Sequence, residues 1–510
     1  MPVSFNNFPQ DWRLPLYWVE VDPSKAGFPT LHQPALLVGQ MLATGTATAD
    51  IPVAVSTVAQ AKDAFGAGSQ LARMFAAFFA NNFAHEVYGL PVVEPTAGVV
   101  ATGSITVSHA PSDAGTLTLY IAGQRVEVAV GATDLVSAVA TAIAAAITAN
   151  SDLPVTASAN AAIVTLTCKW KGSTGNDIDV RANYLGSAGG EAFPPALTLT
   201  IANSGKLTSG SGAPLFTTAI ANLGDEPFEY VSMPFTDSTS VGAWNTEYGF
   251  GDTGRWGWMR QSYGHIFSAV RNSYATMVGF CESGGFNSGI VSIMGVEVNS
   301  PSPVWEWASA YTAKAARALL NDPARPLQTL ALAAISPAPK HQRFILSELN
   351  AMAGAGIATQ SVGSDGSPMI LREVTTYRKN LYGQGDDAYE LVPTLATLAR
   401  LMRNQRQAIT SKYPRHKLAD DGTRFGPGQA IVTPKIIKAE LVAQYRMDEW
   451  NGLVENAVQF KANLIVERDS NNPNRVNVLY PPDVVNQLRI FAVLNQFRLQ
   501  YDRGVDLALA

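Results

Sequence analysis

Cysteines are scarce in this sequence, and long apolar runs are missing. Its 510 residues include only two cysteines, Cys168 and Cys281. Two cysteines cannot build a disulfide framework in so long a chain, so the sequence fits a reducing compartment and we expect folding in the cytosol. No stretch reaches the roughly 18 apolar residues that cross a membrane, and the opening MPVSFNNFPQDWRLP has no basic segment followed by an apolar one. We therefore expect neither direct membrane insertion nor export by a signal peptide.

An excess of charge of one sign is also lacking. The 36 Lys and Arg residues nearly balance the 41 Asp and Glu residues, giving a formal net charge of −5. Such a small charge provides no bulk attraction to nucleic acid or to an anionic membrane. The hydrophobic fraction of 47% is enough to bury several cores, and the length suggests about three domains. The composition predicts a multidomain globular protein with no nucleic-acid partner.

Catalytic and metal-binding motifs are missing as well. The six histidines are scattered without the spacing of metal ligands, and no GxSxG nucleophile motif occurs. The Gly-rich GFCESGGFNSG lacks the GxxxxGK[ST] pattern of a phosphate-binding loop, and its Glu282 would repel a phosphate. The carboxylate pairs Asp225-Glu226 and Asp386-Asp387 adjoin Pro or Gly, which is typical of solvated turns. We therefore expect no cofactor, no bound metal and no enzymatic activity.

One segment, GRWGWMRQSYGH, is rich in aromatic and basic residues. It carries Trp256, Trp258 and Tyr263 beside Arg255 and Arg260. This mixture could stack on single-stranded nucleic acid. Closely spaced aromatic residues before an apolar helix are more often part of a core or a subunit interface, and that interpretation is favoured here.

The N-terminal residues 1–30 read as an extended arm. Proline recurs through this stretch and breaks any helix, which leaves LPLYWVEVD extended. The apolar residues on one face of that stretch are Tyr17, Val19 and Val21.

The C-terminal stretch NQFRLQYDRGVDLALA alternates apolar and polar residues like a strand with one buried face. Its alternating apolar residues are Phe497, Leu499 and Tyr501. Ordering the strand costs about 1–2 kcal/mol per residue, whereas burying each large side chain returns about 1.5–3 kcal/mol. The balance is near zero, so the strand needs a waiting sheet, in its own chain or in another.

A change of composition marks an insert. From residue 96 to 160 only five charged residues occur among many Thr, Ala, Ser and Gly, and GTLTLYIAG and QRVEVAV alternate like hairpin strands. Asp134 is predicted to cap a following helix whose apolar residues recur every four positions, at Leu135, Val139, Ile143 and Ile147. The Gly/Ser-rich SGKLTSGSGAP is the expected exit linker. We predict an inserted, surface-exposed α+β domain at residues 96–212.

The flanking sequence has the patterns of an α/β protein. Apolar strands such as EYVSMPF alternate with helices such as VWEWASAYTAKAARALL, which predicts a layered α/β core at residues 31–95 and 213–400. In the C-terminal domain, residues 401–495, KANLIVERDSNNPNRVNVLY reads as a hairpin around an Asn/Pro turn. Residues 496–510 form the second arm. The predicted fold class is therefore α/β, as a mixed α+β multidomain protein.

Several of these segments together resemble one known family. AFGAGSQLARM, the low-charge insert, EYVSMPFTDSTS, GRWGWMRQSYGHIF and NPNRVNVLYPPDVVNQLRIFAVLNQFRL resemble the tail sheath proteins of Mu-like contractile-tailed bacteriophages. The resemblance spans most of the chain and carries no catalytic residue. That family is related to the sheaths of R-type bacteriocins and type VI secretion systems.

The resemblance implies a function and a set of partners. A sheath subunit polymerises with copies of itself, in six-fold helical rings, around a tail tube and contracts to drive the tube through the host envelope. Its other partners would be the baseplate and tail terminator proteins, and its location the virion tail, assembled in the host cytoplasm. The terminal arms, with Tyr17, Val19, Val21, Phe497, Leu499 and Tyr501, would be donated to a neighbour's sheet, and the insert would lie on the outside.

Basic residues of the C-terminal domain are candidates for the tube contact. Arg400, Arg403 and Arg406 recur along one side of a predicted helix, and Lys435 and Lys438 open the next. Charge runs of this kind are most often a solvated face. The resemblance adds the hypothesis that one of these helices meets acidic groups on the tube.

Three alternatives stay open. The chain could be the sheath of a related contractile injection system of the R-type bacteriocin or type VI kind. The Thr/Ala/Gly-rich insert also suits a secreted or surface adhesin, against which the missing signal peptide counts. An enzyme on the α/β core would require an acid, base or nucleophile constellation that the sequence does not contain.

Overall fold

The computed structural model describes residues 32–499. In this part of the chain the strands, numbered in chain order, are β1 Ala35–Gln40, β2 Val53–Ala54, β3 Val87–Val92, β4 Val100–His109, β5 Gly115–Ile121, β6 Gln124–Val130, β7 Val155–Asn160, β8 Ile163–Lys171, β9 Val180–Ala182, β10 Thr198–Ile201, β11 Tyr230–Ser232, β12 His265–Arg271, β13 Val291–Val296, β14 Thr359–Val362, β15 Pro368–Arg372, β16 Lys417–Leu418, β17 Ile431–Val432, β18 Ile465–Arg468 and β19 Val476–Leu479. The α-helices are α1 Val58–Phe65, α2 Gln70–Asn81, α3 Val136–Ala149, α4 Thr217–Leu223, α5 Ser238–Tyr248, α6 Tyr274–Gly284, α7 Val304–Asn321, α8 Leu346–Gly354, α9 Val392–Lys412, α10 Pro434–Trp450 and α11 Ala457–Asn463.

A six-stranded sheet forms the centre of the α/β part, in the order β13-β12-β11-β1-β3-β2. Its strands are parallel except β2, which runs antiparallel to β3. Every residue of β1 and β13 is buried, as expected for apolar strands covered on both faces. Helix α7 packs on this sheet with Trp305, Trp307 and Tyr311 fully buried. The predicted α/β fold class is confirmed.

A Gly-rich turn joins helix α1 to the apolar helix α2. Gly66 ends α1 with φ +88°, and a Cβ there would come within 2.6 Å of Thr44 Oγ1, so this close turn requires glycine. Ser69 then begins α2, its hydroxyl accepting a hydrogen bond from Ala72 N at 3.0 Å. Phe75 and Phe78 of α2 are fully buried in the core.

Residues 99–212 carry two further sheets and the helix α3. The four-stranded sheet has the order β10-β4-β8-β7 and the three-stranded sheet the order β6-β5-β9. The predicted cap of α3 is wrong, because Leu135 occupies the N-cap position. The Asp134 carboxylate instead accepts a hydrogen bond from Gly131 N at 2.7 Å and closes the preceding turn. Val139 and Ile143 are fully buried in the core, as their spacing predicted.

This segment packs tightly on the α/β part. The buried residues of both belong to one hydrophobic cluster, in which Trp170 of β8 meets Trp305 of α7 edge to face at 5.5 Å between ring centroids. Arg73 of α2 forms a buried ion pair with Glu306 and donates to Ala122 O at 2.8 Å. The insert is thus fused to the core through shared apolar and charged contacts.

The C-terminal part has its own small core beneath the hairpin β18–β19. Tyr445 of α10 stacks on Phe460 of α11 with the ring centroids 3.7 Å apart, and its hydroxyl donates to Glu455 O at 2.6 Å. The hairpin is antiparallel, with Ile465 opposite Leu479, which confirms the hairpin predicted around the Asn/Pro turn.

Within residues 32–499, no helix has the length and apolar character needed to cross a membrane.

Candidate functional site

At the place where open α/β sheets usually bind ligands, the protein's own side chains supply both charges. A cavity of about 470 Å³ lies at the carboxyl ends of β11 and β12. Asp177 of the insert reaches into this region, where it forms an ion pair with Arg271 Nε at 2.8 Å and accepts from Val304 N at the start of α7. Burial raises the pKa of Asp177 to about 6. An acidic side chain of the insert thus occupies the anion-binding positions of the crevice.

The GRWGWMRQSYGH loop turns most of its aromatic and basic side chains into the subunit, whereas Trp258 is 70% exposed. Arg255 is fully buried and donates to Glu247 Oε1 at 2.8 Å, and Arg260 donates to the same oxygen at 2.9 Å. Trp256 and Tyr263 are buried as well, in agreement with the core interpretation. Neither arginine is therefore available to stack on nucleic acid.

Across the described range, no group of three or more His, Cys, Asp and Glu residues is placed to hold a metal ion.

The hairpin β18–β19 is a two-stranded sheet whose outer edges pair with no other described strand. One side of it faces α10, where Lys438 Nζ donates to Leu464 O at 2.6 Å. Ile465, Val478 and Leu479 are exposed. An unpaired sheet edge beside exposed apolar side chains is the geometry that accepts an added strand.

The chain after the hairpin is first tied to its own subunit. Val484 bridges to Val454, and Glu455 N donates to Asp483 O at 2.9 Å. Gln487 Nε2 then donates to Ala324 O at 2.8 Å. The segment thus passes from the C-terminal part to the loop that follows α7.

From Leu488 onward the apolar side chains point away from the subunit. No helix or strand is assigned from Ile490 to Leu499. Seven apolar side chains here are between 63% and 96% exposed, namely Leu488, Ile490, Phe491, Val493, Leu494, Phe497 and Leu499. The sequence IFAVL places apolar residues on both faces of an extended chain, a pattern typical of a strand buried on both sides. The apolar part of the arm thus begins several residues before the predicted start at 496.

The predicted strand donors fall into two groups. Phe497 and Leu499 belong to this exposed arm. The other four, Tyr17, Val19, Val21 and Tyr501, lie outside the described residues. Their role as donors stays a prediction.

The five candidate tube-facing residues do not share one exposed face. Arg403 forms an ion pair with Glu229 and its guanidinium lies 5.1 Å from the centroid of the Tyr263 ring. Arg400 donates to Leu320 O at 2.9 Å. Both side chains, like that of Lys438, thus have partners within the subunit.

The remaining two candidates are free to meet a partner surface, since Arg406 and Lys435 are both exposed. Sequence reasoning missed the partner of Arg403, because Glu229 lies 174 positions away. The available signal was an acidic residue at the start of the buried strand EYVSMPF, where an unpaired charge would be costly.

Two family models match the chain. Residues 209–376 match the phage tail sheath protein central domain, and residues 384–498 match the phage tail sheath C-terminal domain. The second match contains the hairpin and the exposed arm. These domains define a structural component of the virion tail.

A relative covers the full length. The chain is 43% identical over 501 residues, 98% of its own length and 100% of the other, to the Mu-like prophage FluMu tail sheath protein of Haemophilus influenzae. The chain therefore belongs to the phage tail sheath family.

Solved structures of similar proteins include a sheath tail protein and chains of two larger assemblies. The crystal structure of the sheath tail protein of Desulfitobacterium hafniense is 13% identical, with 92% of this chain and 97% of that chain covered and a TM-score of 0.46. A chain of the anti-feeding prophage baseplate is 9% identical, with 96% and 99% covered and a TM-score of 0.46. A chain of the PVC sheath complex in the contracted state is 8% identical, with 98% and 99% covered and a TM-score of 0.43.

Proposed function

We propose that this sheath protein polymerises as a helix around the tail tube and contracts to drive the tube through the host envelope, its subunits linked by exchanged arms. The observation that carries the proposal is the coexistence of an unpaired hairpin and an exposed apolar arm within one C-terminal region. A lone subunit leaves both unsatisfied. A polymer satisfies both when the arm of one subunit adds to the hairpin of the next.

The energetics favour exchange between chains. Burying each large apolar side chain of the arm contributes about 1.5–3 kcal/mol, against about 1–2 kcal/mol per residue for ordering the backbone. IFAVL has apolar residues on both faces of the extended chain. Covering both faces therefore yields about twice the side-chain burial energy of covering one face. In the single chain the arm does not join its own hairpin, although only residues 480–489 separate them. Pairing between two subunits buries both the exposed arm of one subunit and the unpaired hairpin edge of the other.

We propose the following domain division for this polymer. Residues 31–95 and 213–391 form the α/β core, and 96–212 an insert on the outside of the tail. The predicted boundary between residues 400 and 401 falls inside helix α9, Val392–Lys412, so we propose to place the boundary at the start of this helix. The arms are residues 1–30 and the stretch after Arg489, both donated to neighbours.

The partners follow from this assembly. They are further copies of the chain in six-fold rings, the tail tube protein, and the baseplate and tail terminator proteins, brought together in the host cytoplasm. We place the tube contact at the exposed Arg406 and Lys435. No cofactor and no catalytic step enter the proposal, since stored lattice energy would drive contraction. A sheath of a related contractile injection system is the alternative, because the same surfaces would serve there.

Removal of the arm tests the proposal. A chain that lacks residues 490–510 should fold, remain soluble and fail to polymerise, as judged by light scattering after gel filtration and by negative-stain microscopy. A second variant, V493P with F497P, removes two backbone N–H donors and should also fail to polymerise. Its matched control, V493T with F497Y, keeps both donors and should polymerise. Polymers formed by the truncated chain would refute the proposal, and an insoluble truncated chain would assign the arm to its own fold.

A further inference from the structure

Arg489 marks the point where the C-terminal segment changes from tethered to exposed. Before it, backbone and side-chain contacts fix the segment at Asp483, Val485 and Gln487. After it, the apolar side chains from Ile490 onward are exposed. The side chain of Arg489 itself turns inward and is only 10% exposed.

The partner of Arg489 is a carboxylate with no contact to solvent. Glu373 directly follows β15 and its side chain is 0% exposed. The Arg489 guanidinium donates from Nη1 to Glu373 Oε2 at 3.0 Å and from Nη2 to Oε1 at 2.5 Å. Leu327 N also donates to Oε1, at 3.0 Å. This two-pronged geometry is the strong and directional form of an arginine–carboxylate pair.

The pair joins the arm to a different part of the subunit from the one that carries the hairpin. Asp483 and Val485 bond to Glu455 and Leu453 of the C-terminal part. Arg489 instead bonds to Glu373, in the α/β part. The segment between them is a strap across the two parts, and the arm leaves from the α/β side.

We propose that the Arg489–Glu373 pair is the anchor that fixes where the exchanged arm leaves its own subunit, so that a neighbour's hairpin is tied to this subunit's α/β core. The partner at this surface is a second copy of the chain, and the inference rests on the strand exchange proposed above. Arg489 and Glu373 act as positioning residues. Without the anchor the Gln487 contact remains the last tether, and the free arm gains residues 488 and 489, about 7 Å of extended chain. The spacing between linked subunits then becomes loose.

The rate of tryptic cleavage after Arg489 in the unassembled full-length protein reports whether the Arg489–Glu373 pair is formed. The bond after Arg489 lies beside an exposed stretch, yet its guanidinium is held by Glu373 and cannot enter the protease. Glu373→Gln keeps the cleavage site and weakens the hold, so cleavage after Arg489 should be at least about tenfold faster, as P1 recognition requires a free guanidinium. Cleavage after Arg475, an exposed arginine beside β19, should be equal in both proteins. Glu467→Gln, at an exposed carboxylate of the hairpin, is the matched control with wild-type cleavage.

Subunit spacing in assembled sheaths, measured together with thermal unfolding, distinguishes a positioning role of the pair from a purely stabilising role. E373Q subunits with wild-type thermal unfolding should form sheaths with a wider distribution of subunit spacings in electron micrographs. R489K, which keeps a positive charge opposite Glu373, should retain the regular spacing better than E373Q. If E373Q does not fold, Glu373→Asp, which retracts the carboxylate, takes its place. Wild-type cleavage after Arg489 in the Glu373 variant, or faster cleavage with unchanged spacing, overturns the anchor. Normal polymers from a chain truncated after Arg489 would instead refute strand exchange, whatever the cleavage rates.

Discussion

Arg403 of α9 and Glu229, the residue before β11, form an ion pair at the joint between the C-terminal and α/β parts. Glu229 is 3% exposed at its side chain and Arg403 is 19% exposed, so both charges are largely removed from water. The guanidinium also donates to Ser262 O at 3.3 Å. Arg403 therefore holds the two parts of the subunit together.

Removing one member of this pair should destabilise the subunit. Arg403→Gln leaves the buried Glu229 carboxylate without its charge partner, at a cost of about 3–5 kcal/mol in the free energy of unfolding. Arg406→Gln, three residues along the same helix but exposed, should cost less than about 1 kcal/mol. Chemical denaturation of both variants measures the difference. Equal stabilities would show that the Arg403–Glu229 pair does not hold the joint.

The exposed Arg406 and Lys435 should contribute to tube binding. Replacing both by Gln should leave stability and free sheath polymers unchanged while reducing co-sedimentation with purified tubes. The loss should be larger at low salt, because exposed charge pairs are screened as salt increases. Lys461→Gln, at another exposed lysine of the C-terminal part, is the matched control. Unchanged binding of the double variant at low salt would remove these two residues from the tube contact.

The insert should not be separable from the core without damage. A simple excision of residues 96–212 exposes Trp305 and leaves the buried Arg73–Glu306 pair open to solvent on the insert side. We therefore expect the excised chain to be insoluble or strongly destabilised. Trp170→Ala in the full chain should cost about 3–5 kcal/mol in the free energy of unfolding, measured by denaturation. A stable, assembling excised chain would show that these contacts are dispensable.

Acid should destabilise the protein through His265. Burial, with the charge of Arg403 as a second cause, lowers the pKa of His265 to about 3. The unfolded chain binds this proton near pH 6.5, so stability falls by about 1.4 kcal/mol for each pH unit between roughly 6.5 and 3. The raised pKa of Asp177, about 6, gives the opposite slope between about pH 4 and 6. The contribution of His265 is therefore measured by comparing the pH dependence of the free energy of unfolding in the wild-type protein and in a His265 variant.

His265→Asn removes one of these two contributions and leaves the other. Its free energy of unfolding should fall less steeply from pH 6.5 to 4 than that of the wild-type protein, as measured by urea denaturation at each pH. Identical slopes would mean that His265 is protonated in the folded protein.

The sequence predicted local features well and long-range partners poorly. The hairpin β18–β19 was readable because apolar alternation and an Asn/Pro turn lie within one short stretch. The inward turn of Arg489 was not, since the contact with Glu373 joins positions 116 residues apart. The same limit explains Arg403, whose spacing on α9 fits an exposed face until Glu229 is placed beside it.

The insert shows the same division. The predicted bounds of the insert, residues 96–212, rest on its change of composition and stay a prediction, whereas the spacing of Val139 and Ile143 correctly predicted that these residues of α3 are buried. The packing of Trp170 on Trp305 carried no sequence signal, because an alternating strand does not reveal which core its inner face joins. The Asp134 cap failed because a turn closed by Gly131 competed for the same carboxylate.

Mixing two complementary variants tests arm exchange between subunits most directly. One variant lacks residues 1–30 and 490–510 and keeps the hairpin as an acceptor. The other lacks residues 1–30, keeps the C-terminal arm, and carries V478P together with V466P to block the hairpin edges. Gel filtration with light scattering should find each variant monomeric alone, and their mixture should give a complex of two subunits, one of each. Polymers from either variant alone, or a mixture that stays monomeric, would contradict arm exchange.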